Sequence, residues 1–189
     1  KRRREIAFAQ RASDRKTMLA DLEATGDPLA QDYAKAAGRA EAATRMARKG
    51  GDYPLLSGGD VNLYSLFVER AMTLVQPTGL IGLIVPSGIA SDKTAANFFK
   101  SVATEGRLKA LYDFENKKVF FPHVHASFKF CAFVASPSPT PDQAQCAFYL
   151  HNVAELKDPE RCFTLSAADF ARVNPNTGTA PIFRSKRDA

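Results

Sequence analysis

"GLIGLIVPSGIASDKTAANFFKSVATEGRLKALYDFE", Gly79 to Glu115, changes its hydrophobic period twice, and those changes decide the fold class. "LIGLIVP" is a short, bounded apolar run rich in branched residues, which predicts a central strand buried on both faces. "SDKTAANFFKSVATEG" follows with Ser91 or Asp92 to cap a helix. Its Ala95, Phe98, Phe99 and Val102 fall at helical steps, and Gly106 stops it. "LKALYDFE" then alternates as a strand does. Strand, helix and strand in this order predict two parallel strands with a right-handed crossover. Their carboxyl ends share the edge where open α/β sheets bind ligands, and Pro86 and Ser87 stand at that pocket edge.

The reading extends outward on both sides. Upstream, "VNLYSLFVERAMTLV" repeats apolar residues at three- and four-residue steps, an amphipathic helix, and "QPTG" turns the chain into the first strand. Downstream, "ENKKVFFPHVH" connects the second strand to the alternating "ASFKFCAFVA". The connection is too short for a crossover helix, so that pair should be antiparallel, with Phe120 and Phe121 at the ligand edge. A proline-rich surface segment "SPSPTPD", a strand at "AQCAFYLHN" and a short helix at "SAADFARV" follow. Ser166 and Asp169 suit a capping box at that helix. "NPNTGTAP" is a loop, and "FRSKRDA" is basic.

Residues 5–49 read as two helices broken near "TGDP". "KGGDYPLLSGGD" is glycine-rich, but neither glycine pair lies between a strand and a helix, which argues against a phosphate loop. Asp60 and Asn62 precede the long helix, where capping is the favoured role.

Composition narrows the function classes. Hydrophobic residues make up 45% and charged residues 24% of the 189, as in an ordinary globular domain. Pro86 cuts the longest apolar run short of a membrane span, and the N-terminus lacks the apolar centre of a secretory signal. Both predict an intracellular, cytoplasmic protein with no membrane partner. The net charge of +6 is uneven: residues 1–50 hold 12 lysines and arginines against 7 acidic residues, and residues 51–189 hold 14 against 13. A basic first quarter suits a nucleic-acid partner or a solvated helical face, and charge alone does not separate them. Cys131, Cys146 and Cys162 lie far apart, which argues against a disulfide framework and a zinc site. His123, His125 and His151 have no carboxylate or cysteine at ligand spacing, so no metal is expected. Ser87 lacks the glycine context of a nucleophile elbow.

The order of elements, with "VPSG" closing one strand and "FP" at the tip of a strand pair, resembles a known family. It is similar to the C-terminal half of the catalytic domain of amino-methylating, adenine-specific DNA methyltransferases, above all the type IIG restriction–modification kind. The residues carrying the likeness are Gly59 to Asp92, Leu111 to Phe133 and Asn174 to Ala189. The resemblance implies an α/β fold: a partial Rossmann-like methyltransferase sheet with flanking helices and an N-terminal helical insertion. It divides the chain into a basic helical insertion (1–50), the back half of the catalytic domain (51–136) and an extension toward a target-recognition domain (137–189).

In that family the sheet binds S-adenosylmethionine and the target adenine swings out of the duplex into a pocket. An aromatic ring from the loop before the antiparallel strand stacks on the flipped base, and the matching position is Phe121, with Phe120 as second candidate. Lys117, Lys118 and Lys129, with His123 and His125, flank that tip as DNA contacts. Double-stranded DNA is the implied partner.

The sequence departs from the family where the chemistry lies. The Asn/Asp-Pro-Pro-aromatic motif, which orients the adenine amino group, occurs nowhere, and "NPNT" at Asn174 has the wrong third and fourth residues. The cofactor's glycine loop and ribose-binding acid are also not visible. The expectation is that Lys1 falls just after the missing motif. The chain alone then has no catalytic residue, binds S-adenosylmethionine poorly, is inactive, and either pairs with the upstream half of its domain or self-associates. Two other classes stay open: a non-enzymatic DNA-binding module with a degenerate methyltransferase-like sheet, and a half-domain of another α/β enzyme.

Overall fold

Strand alternation and helical periodicity emerge where the sequence puts them, and the strand order decides what they build. The structure is a computed structural model and describes residues 3–59, 61–183 and 185; Asp60 and most of the basic "FRSKRDA" end lie outside them. The chain divides into two units, Lys1–Met46 and Ala47–Ala189.

The first unit is helical. α1 (Arg4–Phe8) and α2 (Ala12–Ala24) precede α3 (Pro28–Lys49), which starts in this unit. The break falls at "TGDP" for local reasons. Gly26 takes φ +67°, a left-handed conformation that suits glycine after a helix end. Asp27 Oδ1 accepts the Leu29 N–H at 2.9 Å, and Pro28 opens the next helix where its missing N–H costs nothing.

The second unit is a five-stranded mixed sheet with helices. α4 (Leu63–Leu74) leads into β1 (Ile81–Pro86). α5 (Gly88–Ser91), a 3₁₀ turn (Lys93–Ala95) and α6 (Ala96–Thr104) then bring the chain to β2 (Leu108–Glu115). β3 (Lys129–Ala135), β4 (Ala144–Leu150), β5 (Phe163–Leu165) and α7 (Ala167–Val173) complete it. The order across the sheet is β1-β3-β2-β4-β5.

β3 runs antiparallel to both β1 and β2, so β1 and β2 point the same way without touching. β4 is parallel to β2, and β5 antiparallel to β4. The carboxyl ends of β1 and β2 and the start of β3 therefore share one edge, as the strand–helix–strand reading requires.

One sheet face carries Val85, Cys131, Phe133, Leu111, Cys146 and Phe148 against Phe98, Phe99, Val102 and Phe170 from α6 and α7. Phe98 and Phe133 meet at 6.0 Å between ring centroids, Phe99 and Phe170 edge-on at 5.9 Å. Burying each such ring stabilises the fold by roughly 1.5–3 kcal/mol. The other face holds a smaller cluster of Phe114, Ala147 and Leu150 with Phe120, Phe130 and Leu156 packed on it.

Three local expectations meet different outcomes. The capping box forms as read: Ser166 Oγ accepts the Asp169 N–H, and Asp169 accepts the Ser166 N–H at 2.9 Å. Asn62 caps α4 by accepting the Tyr64 N–H. Neither Ser91 nor Asp92 caps α6: the helix begins later through the 3₁₀ turn, and the Asp92 carboxylate folds back over Gly88 instead.

β1 is the main correction. It is an edge strand, and Ile84 is 69% exposed. Both faces of "LIGLIVP" are apolar, which is why the run reads as doubly buried. Among the described residues only the face of Ile81 and Val85 is covered.

Candidate functional site

The shared strand edge opens into a cavity of about 720 Å³. Pro86, Ser87 and Gly88 from the end of β1 form one wall; Asn62, Tyr64, Ser91 and Asp92 extend it. Phe121, Val124, Ser127 and Phe128 from the β2–β3 loop, with Lys129 and Phe130 of β3, form the other. The wall is mostly apolar with a few convergent polar groups, the composition of a site for a small organic ligand.

Phe121 is the ring that this architecture presents. It is 43% exposed and backed edge-on by Phe130 at 5.1 Å and 80°. Phe130 in turn stacks on Phe114 at 5.2 Å and 9°. A half-exposed ring normally wanders; this one rests on a column of rings rooted in the sheet. Phe120 points elsewhere, packing edge-on against Phe114 (5.3 Å) and Phe130 (5.0 Å) in the second apolar cluster, outside the cavity wall.

Beneath the Ser87 wall lies a buried carboxylate. Asp113 is 5% exposed; the Ser87 hydroxyl donates to its Oδ1, and Lys129 Nζ lies 3.7 Å from its Oδ2. Burial pushes its carboxyl above the ordinary carboxylate range, partly offset by the Ser87 hydrogen bond and the Lys129 charge. The Lys129 ammonium sits 3.7 Å from the Tyr149 ring centroid, a cation–π contact. Lys129 is thus held between a carboxylate and a ring while still lining the cavity. Neighbouring Cys131 is buried, and desolvation raises its thiol far above the ordinary value. Cys146, also buried, is pushed up to about 12, so neither thiol is a ready nucleophile.

The remaining basic candidates spread over the loop. Lys117 pairs with Glu115 at 3.1 Å, and His151 Nε2 meets the same carboxylate at 2.9 Å. Those partners hold the Glu115 carboxyl below its ordinary range, His151 contributing most. Lys118 and His123 are exposed, and His125 Nδ1 shares a hydrogen bond with Ser127 Oγ at 2.8 Å. Among the predicted site residues, the cavity wall gathers Phe121, Lys129, Pro86 and Ser87 and leaves out Lys117, Lys118, His123, His125 and Phe120.

Sequence reading passed over Asn116, Asp113 and Phe128. Asp113 alternates with Leu111 on the inward strand face, and a charge at that phase is the signal that would have found it. Phe128 stands 63% exposed at the cavity rim. Asn116 carries only the generic mark of asparagine at a strand end.

The glycine-rich loop is organised for another task. Glu69 on α4, 4% exposed, accepts the Leu55 and Leu56 N–H groups, both at 2.9 Å. Those amides are occupied by a carboxylate and are not free to cradle a phosphate.

β1 and β2 thus flank an inserted antiparallel strand, with an open cavity at their ends. Residues 40–120 match the family model described as Eco57I restriction-modification methylase. The methyltransferase subunit of a type I restriction-modification system from Streptococcus thermophilus shares the fold. Its TM-score is 0.52 at 10% identity, over 70% of this chain and 34% of that one. The type IIG restriction endonuclease BpuSI also matches, at TM-score 0.42 and 16% identity, over 55% of this chain and 12% of that one. The chain thus spans about a third or less of the solved structures it matches. No curated protein matches its sequence. The chain thus shares a methyltransferase fold, and its residues 40–120 carry the likeness to restriction-modification methylases.

Proposed function

We propose that this chain is part of an adenine-specific DNA methyltransferase of a restriction–modification or related phage-defence system, and that its cavity receives the flipped target base against Phe121. The observation that carries the reading is the half-exposed Phe121 ring, braced on Phe130 and turned into an open cavity at the strand ends. A base stacked on such a ring gains roughly 1–3 kcal/mol, which offsets part of the cost of leaving the duplex. Lys129 at the same wall, with Lys117 and Lys118 around the loop, supplies positive charge for the flanking phosphates, and His123 and His125 stand beside them as further polar contacts.

The strand-to-helix turn after β1 is closely packed at Gly88. A Cβ on Gly88 would lie 2.2 Å from Asp92 Oδ2 and 2.9 Å from the Tyr64 hydroxyl, so side chains of this chain already fill the space beside that turn. The cofactor and the amino-orienting motif belong, in this reading, to the upstream half of the domain. That half would continue the sheet at the free edge of β1 and cover Ile84. Without it, the same edge would favour self-association.

The test is methyl transfer from labelled S-adenosylmethionine to DNA by the protein carrying this domain, with and without Phe121→Ala. The reading expects label on adenine and a fall in rate of about tenfold or more for the variant. Transfer to cytosine, or an unchanged rate, sinks it. DNA binding without any transfer would favour a binding module.

A further inference from the structure

We propose that Asn116 is a positioning residue that ties the Phe121 turn to the end of β2 and holds the ring over the cavity before any ligand arrives. The inference rests on Phe121 being the stacking surface, but its geometry stands independently.

Asn116 is 1% exposed, and its carboxamide is spent entirely on the loop. Oδ1 accepts the Phe121 N–H at 2.9 Å, while Nδ2 donates to the Phe121 carbonyl at 2.9 Å and the Val124 carbonyl at 3.0 Å. One side chain therefore holds both backbone groups of the residue that carries the ring. It also grips both ends of the Phe121–Val124 turn, which the Val124 N–H closes onto the Phe121 carbonyl at 3.0 Å with Pro122 following Phe121.

The main chain of Asn116 works with its side chain. Its N–H donates to the Phe128 carbonyl at 3.0 Å, and its carbonyl accepts the Val119 N–H at 2.8 Å. Between them Lys117 and Lys118 take φ of 42° and 62°, a left-handed pair that lysine rarely adopts. Such strain persists only where surrounding contacts over-determine it, and here the Asn116 main-chain bonds and the Lys117 N–H, which donates to the Ala126 carbonyl at 3.1 Å, hold that turn. The short turn at Asn116–Val119 reverses the chain, and the carboxamide sets where the next turn begins. Alanine at 116 would leave three loop backbone groups without these partners, so the loop should open while the sheet persists.

The chain contains no tryptophan, so Phe121→Trp makes the ring position the lone tryptophan, excited apart from the five tyrosines at the red edge of its absorption. Its acrylamide quenching and anisotropy are compared with Asn or Ala at 116, and backbone hydrogen exchange is followed in the unlabelled Asn116→Ala protein. Expected are exchange at Phe121 and Val124 faster by about tenfold or more, and higher quenching, with protection across β2 and β3 retained. Unchanged loop exchange and quenching overturn the proposal. So does a uniform loss across loop and sheet, which marks a merely structural residue. Asn116→Asp is the second variant, in case alanine does not fold. It keeps the acceptor for the Phe121 N–H but loses the donors, so the Val124 end should loosen more than the Phe121 N–H; equal protection at both overturns the proposal. A short single-stranded oligodeoxynucleotide titrated into the Phe121→Trp protein separates the two readings. A ring ordered by Asn116 that ignores the oligonucleotide leaves the role of Asn116 standing and removes the stacking reading.

Discussion

The two faces of the sheet are built to different ends. On the helix-covered face, Leu83, Phe133, Leu111 and Cys146 follow one another across four strands, and Phe133 and Cys146 have no exposure. On the other face the row Ile84, Ala132, Tyr112, Ala147 runs from 69% exposed at β1 to 0% at β4. Burial on that face is a gradient. The first face holds the fold together; the second is closed at one end by the Phe114 cluster and open at the other. The presented ring, Phe121, is braced by that cluster through Phe130. The stable part of the second face supports the ring, and the bare part is left for another surface.

The contrast breaks most readily at Phe133. Phe133→Ala should cost about 3–5 kcal/mol in urea unfolding, whereas Ile84→Ala should stay within about 0.5 kcal/mol of wild type. Similar losses at both positions would mean that something covers Ile84. Phe121→Ala comes next, at about 0.5–1.5 kcal/mol, because an edge-on ring contact is lost from a half-exposed side chain. A loss as large as that of Phe133 would make Phe121 a core residue instead of a presented one.

Asp113 sharpens the comparison through pH. Its carboxyl is raised by burial, so the neutral form is favoured in the folded state. That contribution is present below the ordinary value of 3.8 and is lost as pH rises through the folded value. The stability of Asp113→Asn relative to wild type should therefore increase as pH climbs above 3.8, read from denaturation curves at several pH values. A flat difference would show that Lys129 and Ser87 cancel the effect of burial, and a reversed one that they outweigh it. Glu115 behaves oppositely and more weakly. Its lowered carboxyl contributes above the ordinary 4.5 and ceases to contribute as pH falls through the folded value. Glu115→Gln should cost less than about 1 kcal/mol at neutral pH, and less still in molar salt. A larger cost, insensitive to salt, would move this pair from the surface into the packed structure.

Much of this was legible in the chain. β2 follows from the alternation of "LKALYDFE" and the ligand edge from strand–helix–strand order, because those signals are local and periodic. Phe121 was legible as an odd aromatic in a basic turn. The place of β1 was not, since strand order depends on which later segment pairs with it, and an apolar run looks the same at an edge as at a centre. Asn116 was hidden for a related reason: its partners are backbone amide and carbonyl groups, which no side-chain pattern encodes.

The interposed position of β3 also has a temporal consequence. β1 pairs only with β3 among the described strands, and β2 pairs with β3 and β4, both later in the chain. As the polypeptide leaves the ribosome, β1, α6 and β2 all emerge before β3, the strand that joins β1 to β2. The edges of β1 and β2 that face each other across the sheet must wait until residues 129–135 arrive between them. A slow stretch of translation just before β3 would lengthen that exposure, and one just after it would not.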